Sequence, residues 1–236
     1  LALGPLFAGI TAELGSWRLS YLIWVLLQLG LAMASYIMIS NNNNSNVKNH
    51  NTTTFQTNKI SLSLYYLMAI AFGFSFGGFS TYMPSLFGMQ TEGIFSMFSG
   101  SLKTGFFTTL VFLCGILGQA IGGYLGDKFS RTRLLFIIIL LNIPFLALMG
   151  FTKSWLLLLC SIVFGITYFS NQPISNALLA DITSNANRGL GYGISFFLSF
   201  GIVGIAPAIC GWIAETYTLE MVFPMMALSL LPGLMA

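Results

Sequence analysis

Charge is what this 236-residue sequence has least of. Nine Lys and Arg, six Asp and Glu and a single His are its ionisable basic and acidic side chains, and charged residues make up 6% of the chain. A soluble domain carries roughly 25%. So few charges cannot cover the surface of a water-soluble fold. The net charge of +3 includes no basic run of useful length, which argues against nucleic acid as a partner. Cysteine is scarce too. Cys114, Cys160 and Cys210 lie far apart, each inside an apolar run. They read as small packing residues, not as a disulfide framework or a metal set. His50 lies in a polar stretch, so no metal site can be built around it and no cofactor is expected. Alternating ten-residue strands are missing, which disfavours a membrane barrel.

Apolar sequence is what the chain has in excess. It is 56% hydrophobic and 15% aromatic, with 25 Gly, 22 Phe and a mean hydropathy of +0.84. Disorder needs the opposite balance. An all-α polytopic membrane protein remains, and glycine is more frequent in membrane helices than in soluble ones.

A helix needs about 20 apolar residues to cross the hydrocarbon core. The sequence predicts the end of one helix over 1–14, then helices over 19–40, 62–87, 104–126, 133–151, 155–180 and 190–214, and the start of another over 219–236. It opens on apolar Leu1 with no signal-peptide head and stops at Ala236 inside an apolar run, so a fragment of a longer protein is expected. Residues 41–58, NNNNSNVKNHNTTTFQTN, are almost free of apolar side chains and read as a flexible polar linker.

Lys and Arg set the orientation. Lys48, Lys59, Lys128, Arg131, Arg133 and Arg188 fall in alternate connections, and Arg18, Lys103 and Lys153 in the others. The first set marks the cytoplasmic side. Trp17 and Trp155 suit an outer interfacial belt.

The sequence also repeats. Residues 4–13, GPLFAGITAE, align with residues 206–215, APAICGWIAE. Pro5 then faces Pro207, Gly9 faces Gly211, Ala12 faces Ala214 and Glu13 faces Glu215. Both copies end a helix on the same predicted side of the membrane, so the repeat is parallel, an arrangement found among transporters. Gly4, Pro5, Gly9, Pro207 and Gly211 are the helix-packing residues of this pattern.

The loop Gly122-Gly123-Tyr124-Leu125-Gly126-Asp127-Lys128-Phe129-Ser130-Arg131-Thr132-Arg133 resembles the signature between the second and third helices of each bundle of the major facilitator superfamily. Gly123, Asp127 and Arg131 match it, Lys128 stands for an Arg and Ser130 for a Gly. Gly4-Pro5-Leu6-Phe7-Ala8-Gly9 resembles the family's fifth-helix motif, associated with antiporters, with Ala8 for a Gly. Asp181 through Arg188-Gly189 resembles its connection between helices ten and eleven. The resemblance implies the end of helix five to the start of helix twelve. Residues 1–40 would close the N-terminal bundle, 41–58 would be the central cytoplasmic loop, and 59–236 the C-terminal six-helix bundle. It further implies a cytoplasmic gate of Gly123, Asp127, Lys128, Arg131, Arg133, Asp181 and Arg188 that releases when the cavity opens inward. Asp127 can also rest against a neighbouring helix N-terminus on physical grounds, with Arg131 and Arg188 as candidate partners, and Asp181 is a further candidate partner for the arginines.

Gly118, Gly122 and Gly126 recur every four residues and predict a close helix approach. No ionisable residue lies deep in a complete span. The deep polar groups are amides and hydroxyls, and unpaired amides in hydrocarbon are costly. Tyr168, Gln172 and Ser175 share one helical face, with Asn171 and Asn176 beside it. The family resemblance implies that the third and sixth predicted helices line a central cavity, and Tyr82, Gln119, Tyr168, Asn171 and Gln172 are the expected cavity residues.

The sequence is thus read as part of a multi-pass plasma-membrane transporter working by alternating access. Its expected partners are a small-molecule substrate, a coupling proton and the lipid bilayer. Export of a small organic or drug-like compound by proton antiport leads, with uptake of a neutral or organic solute as the alternative and a non-transporting receptor as the rival class. An enzyme is disfavoured, because no Ser–His or His–metal arrangement exists and Asp127 has no second membrane Asp.

Overall fold

The computed structural model describes residues 3–13, 17–40, 59–90, 100–185 and 187–235. The polar linker 41–58 lies outside them. The described residues form eight α-helices and no strand. Helix α1 covers Gly4–Glu13 and α2 covers Trp17–Ser40. Helix α3 follows at Lys59–Gln90, α4 at Gly100–Lys128 and α5 at Arg131–Met149. Helix α6 is Ser154–Ile182, α7 is Arg188–Thr216 and α8 is Val222–Leu228. Six of these, α2 to α7, are long and apolar enough to cross a membrane. The chain is a multi-pass all-α membrane protein.

The last apolar run differs from expectation. It does not continue as one helix over 219–236. A 3₁₀ turn at Leu219–Met221 leads into α8, and a second at Leu231–Met235 follows it. Pro232 lacks the N–H that would continue the α-helical ladder to the Leu228 carbonyl, which accounts for the end of α8.

Tight packing, not water exclusion, must hold these helices together, because lipid tails are as apolar as leucine. The helices pack as α4 on α6, α3 on α7, α5 on α6 and α5 on α8, with α1 resting on α4. Phe79, Phe87, Phe107, Phe164 and Phe223 are fully buried between them, with Met83, Leu86, Ile139 and Leu146. The glycine stripe of α4 makes the closest seam. A Cβ on Gly118 would lie 2.2 Å from the Ile166 carbonyl oxygen, and one on Gly122 2.2 Å from that of Ser170. Only glycine permits this approach. The Ser170 hydroxyl then crosses the seam to donate to the Gly118 carbonyl at 2.9 Å.

The two copies of the repeat use their prolines alike. The Pro5 carbonyl of α1 abuts Gly105 of α4, where a Cβ would come within 2.6 Å of it. The Pro207 carbonyl of α7 accepts the Tyr82 hydroxyl of α3 at 2.9 Å. In each case the helix presents a proline carbonyl to its neighbour. The glycine four residues on is close-packed as well, Gly9 against the Ser101 carbonyl and Gly211 against the Tyr82 hydroxyl. Helix α1 is tied further to α4 by the Leu6 N–H, which donates to Thr109 Oγ1 at 2.9 Å. A Cβ on Gly4 would meet nothing within 4 Å.

Candidate functional site

Antiparallel succession brings the ends of α4 and α6 and the starts of α5 and α7 to one end of the bundle. Arg131, at the start of α5, forms an ion pair with Asp181 of α6. Its guanidinium also donates to the Gly126 carbonyl at 3.3 Å and the Ala177 carbonyl at 3.5 Å. Arg188, at the start of α7, donates to the Ala180 carbonyl at 3.2 Å. Two arginines therefore hold carbonyls in the last turns of α6, where the helix dipole favours positive charge. Arg131 and Asp181 remain partly exposed, so their pair contributes about 1 kcal/mol or less.

The other expected gate residues are placed differently. Asp127 is exposed in the last turn of its own helix. Among the described residues its side chain makes no hydrogen bond or ion pair. Lys128 bonds the Tyr124 hydroxyl and sits over that ring, 4.2 Å from its centroid. Gly123 faces open space. Arg133 borders a crevice of about 630 Å³ between α3, α5 and α6, whose walls are mostly apolar.

A second cavity, of about 280 Å³, lies where α3, α4, α6 and α7 meet. It is smaller, but polar side chains converge on it. Helix α6 gives Tyr168, Asn171, Gln172, Ser175 and Asn176. These positions are spaced i, i+3, i+4, i+7 and i+8, one continuous stripe of an α-helix. Helix α4 adds Gln119, whose amide nitrogen donates to Gln172 Oε1 at 2.8 Å. Ser175 donates to Asn171 Oδ1 at 2.6 Å. Tyr65 of α3 and Ser195 of α7 share a hydrogen bond of 3.2 Å.

Rings form the remaining walls. Phe76 of α3 stacks on Tyr168, centroids 4.8 Å apart and planes within 9°. Phe72 meets Tyr168 edge-on, and Phe196 stacks on Phe200 along α7 at 5.8 Å. Gln119, Gln172, Phe196 and Phe200 are exposed, so the cavity opens on one side of the bundle.

Four of the five expected cavity residues line this space: Gln119, Tyr168, Asn171 and Gln172. Tyr82 does not. Its hydroxyl is committed to the Pro207 carbonyl, so it ties α3 to α7 instead. Sequence reasoning missed Tyr65, Ser195, Ser199, Phe196 and Phe200. The α7 pairs Ser195/Ser199 and Phe196/Phe200 stand four residues apart, a signal available in the sequence. No group of three or more metal-ligating side chains occurs among the described residues.

At the opposite end, Gln90 of α3 donates to Glu220 Oε1 at 2.7 Å. The Glu220 carboxyl is held below the usual glutamate range. A hydrogen bond from its own backbone N–H is the largest cause, and Thr218, Gln90 and nearby Lys153 add to it.

This arrangement of helices has known counterparts. The sequence profile of the Major Facilitator Superfamily matches residues 94–236. The chain belongs to that superfamily. A search of the curated proteins finds no match. Among solved structures, the peptide transporter POT in complex with sulfate superposes with a TM-score of 0.63 at 17% identity, over 74% of this chain and 36% of that one. The Major Facilitator Superfamily transporter FucP in its outward conformation gives 0.63 at 16% identity, over 92% of this chain and 53% of the other. At such identities the likeness is one of fold. The chain spans between about a third and a half of the length of these transporters.

Proposed function

We propose that this chain is the C-terminal portion of a secondary active transporter and that the cavity between α3, α4, α6 and α7 forms this bundle's share of its solute site. The observation that carries the reading is the polar stripe on α6. Membrane helices do not keep five neutral polar side chains on one face toward lipid, because each unpaired amide in hydrocarbon is costly. Here the stripe faces a cavity of ligand size, and superfamily membership supplies the alternating-access context. It also favours transport over catalysis.

In this reading α1 and α2 close the N-terminal bundle and residues 59–236 are the C-terminal one, joined by a cytoplasmic linker at 41–58. The Arg131–Asp181 pair and the Arg188 contact lie on the cytoplasmic face. They fix the end of α6 and so the height of its polar stripe. Weak, partly exposed contacts of this kind suit an end that must shift during each cycle. Asp127, Lys128 and Arg133 would meet the N-terminal bundle from the same face. The location proposed is the plasma membrane.

For direction, export of a small organic or drug-like compound in exchange for a proton rests on the Gly4-Pro5 segment. The cavity lining contains no carboxylate or His, so a coupling acid would have to come from outside this bundle. The same uncharged, amide-lined wall favours a second reading, uptake of a neutral solute. Counterflow with the full-length protein in liposomes tests the transport claim. Exchange of labelled for unlabelled solute is expected. A solute that binds yet never exchanges would make the protein a receptor.

A further inference from the structure

We infer that the cavity takes an uncharged ring compound bearing several hydroxyl groups, the chemistry shared by monosaccharides, cyclitols and nucleosides. The inference rests on the cavity being the solute site.

Three observations converge. First, no Asp, Glu, Lys, Arg or His lines the cavity. A charged solute would lose its hydration there with no countercharge from this wall. Second, the polar wall is only partly satisfied by its own contacts. The Gln119–Gln172 bond leaves the Gln172 amide hydrogens open, and the Ser175–Asn171 bond leaves those of Asn171 open. Among the described residues, the Tyr168 hydroxyl, the Asn176 amide and the Ser199 hydroxyl have no side-chain hydrogen bond. These open groups include both donors and acceptors, spread along α6 and across to α7. A solute hydroxyl can donate and accept, so a ring with several of them fits every such position. A purely apolar compound would shut the amides away from water unpaired, at a cost of about tenfold in affinity or more for each. Third, the facing wall is aromatic. Phe72 and Phe76 of α3 and Phe196 and Phe200 of α7 line it and give aromatic surface for the C–H groups of a ring.

The cavity is thus two-sided, amides against one edge of the solute and rings against its flat side. Gln172 and Asn176 act on the solute directly. Phe76 sets the slot by holding Tyr168 in its stack.

Equilibrium binding to the full-length protein in detergent tests the assignment. The probes are radiolabelled D-glucose and D-galactose, myo-inositol, adenosine and uridine, with tetraphenylphosphonium as a hydrophobic cation. Binding of at least one hydroxylated ring compound is expected. It should weaken about tenfold in Gln172→Ala and in Asn176→Ala, with unchanged elution on size exclusion. The sugar, cyclitol and nucleoside arms tell the sources apart. Should Gln172→Ala fail to fold, Asn176→Ala and Gln172→Asn read the same contact. Binding of tetraphenylphosphonium alone, binding of none of the probes, or a hydroxylated ring bound equally well by both alanine variants would overturn the assignment. Counterflow of the cation would sink the solute class while leaving transport intact. A bound sugar or nucleoside that shows no counterflow would do the reverse.

Discussion

Helix α6 has two faces that obey opposite rules. On one, Ile166, Ser170 and Ile174 press against glycines of α4, with the Ile166 and Ser170 carbonyls so close that no side chain fits between. On the other, Tyr168, Asn171, Gln172, Ser175 and Asn176 border open volume. The first face is fixed by shape and tolerates nothing added. The second is fixed by polarity and has groups to spare. A rigid back allows an open front: the glycine seam holds the helix so that its polar side chains need not collapse on one another. Substitutions on the two faces should therefore fail in different ways.

The largest effect is expected at the seam. Gly122→Leu drives a side chain into the Ser170 backbone, and overpacking of that kind costs roughly 3 kcal/mol. The variant should lose its monodisperse elution peak and melt far below the parent. Gly123→Leu, one residue on but facing open space, should do neither. Equal damage from both would erase the distinction between the faces.

On the open face, Gln172→Leu removes one partly exposed hydrogen bond to Gln119, about 0.5–1 kcal/mol. The melting temperature should fall by a few degrees at most, while solute binding drops much further. A fall matching that of Gly122→Leu would mean the stripe is structural.

The arginine end should matter less. Arg131→Ala frees Asp181 and the carbonyls of Ala177 in α6 and Gly126 in α4, yet the site is partly exposed, so about 1 kcal/mol or less of stability is at stake. Its mark should be on transport rate, read by counterflow, more than on melting.

The smallest effect is at the far end. The Glu220 carboxyl titrates below its ordinary range, so its contribution is present above the unfolded glutamate value and is lost as pH falls through the lowered one. The melting difference between the parent and Glu220→Gln should shrink on acidification into that range. A difference that grows instead would reverse the sign assigned here.

Much of this contrast was legible in the sequence, for physical reasons. Helix lengths follow from apolar runs that the bilayer demands, and α3 to α7 lie where those runs predicted, longer by a few residues at most ends. The glycine stripe and the α6 polar stripe are both periodicities of one helix, and a single helix can be read alone. What could not be read depends on pairs of helices. Tyr82 looked like a cavity residue by its position on α3, but its hydroxyl is taken by a proline carbonyl 125 residues away. Asp127 and Asp181 were both candidate partners for the arginines, and only the packing of α5 on α6 decides between them: Asp181 holds Arg131. Pro232 could have forewarned of the break after α8, since its local effect needs no partner.

The most direct test of the two-faced helix is thiol accessibility in a full-length protein from which Cys114, Cys160 and Cys210 have been removed. Cysteines placed singly at Gln172 and at Ser170 would be exposed to a charged methanethiosulfonate reagent in liposomes. Fast modification at position 172, slowed by a bound solute, with none at position 170, is the predicted result. Modification at both positions alike, or at 170 alone, would contradict it.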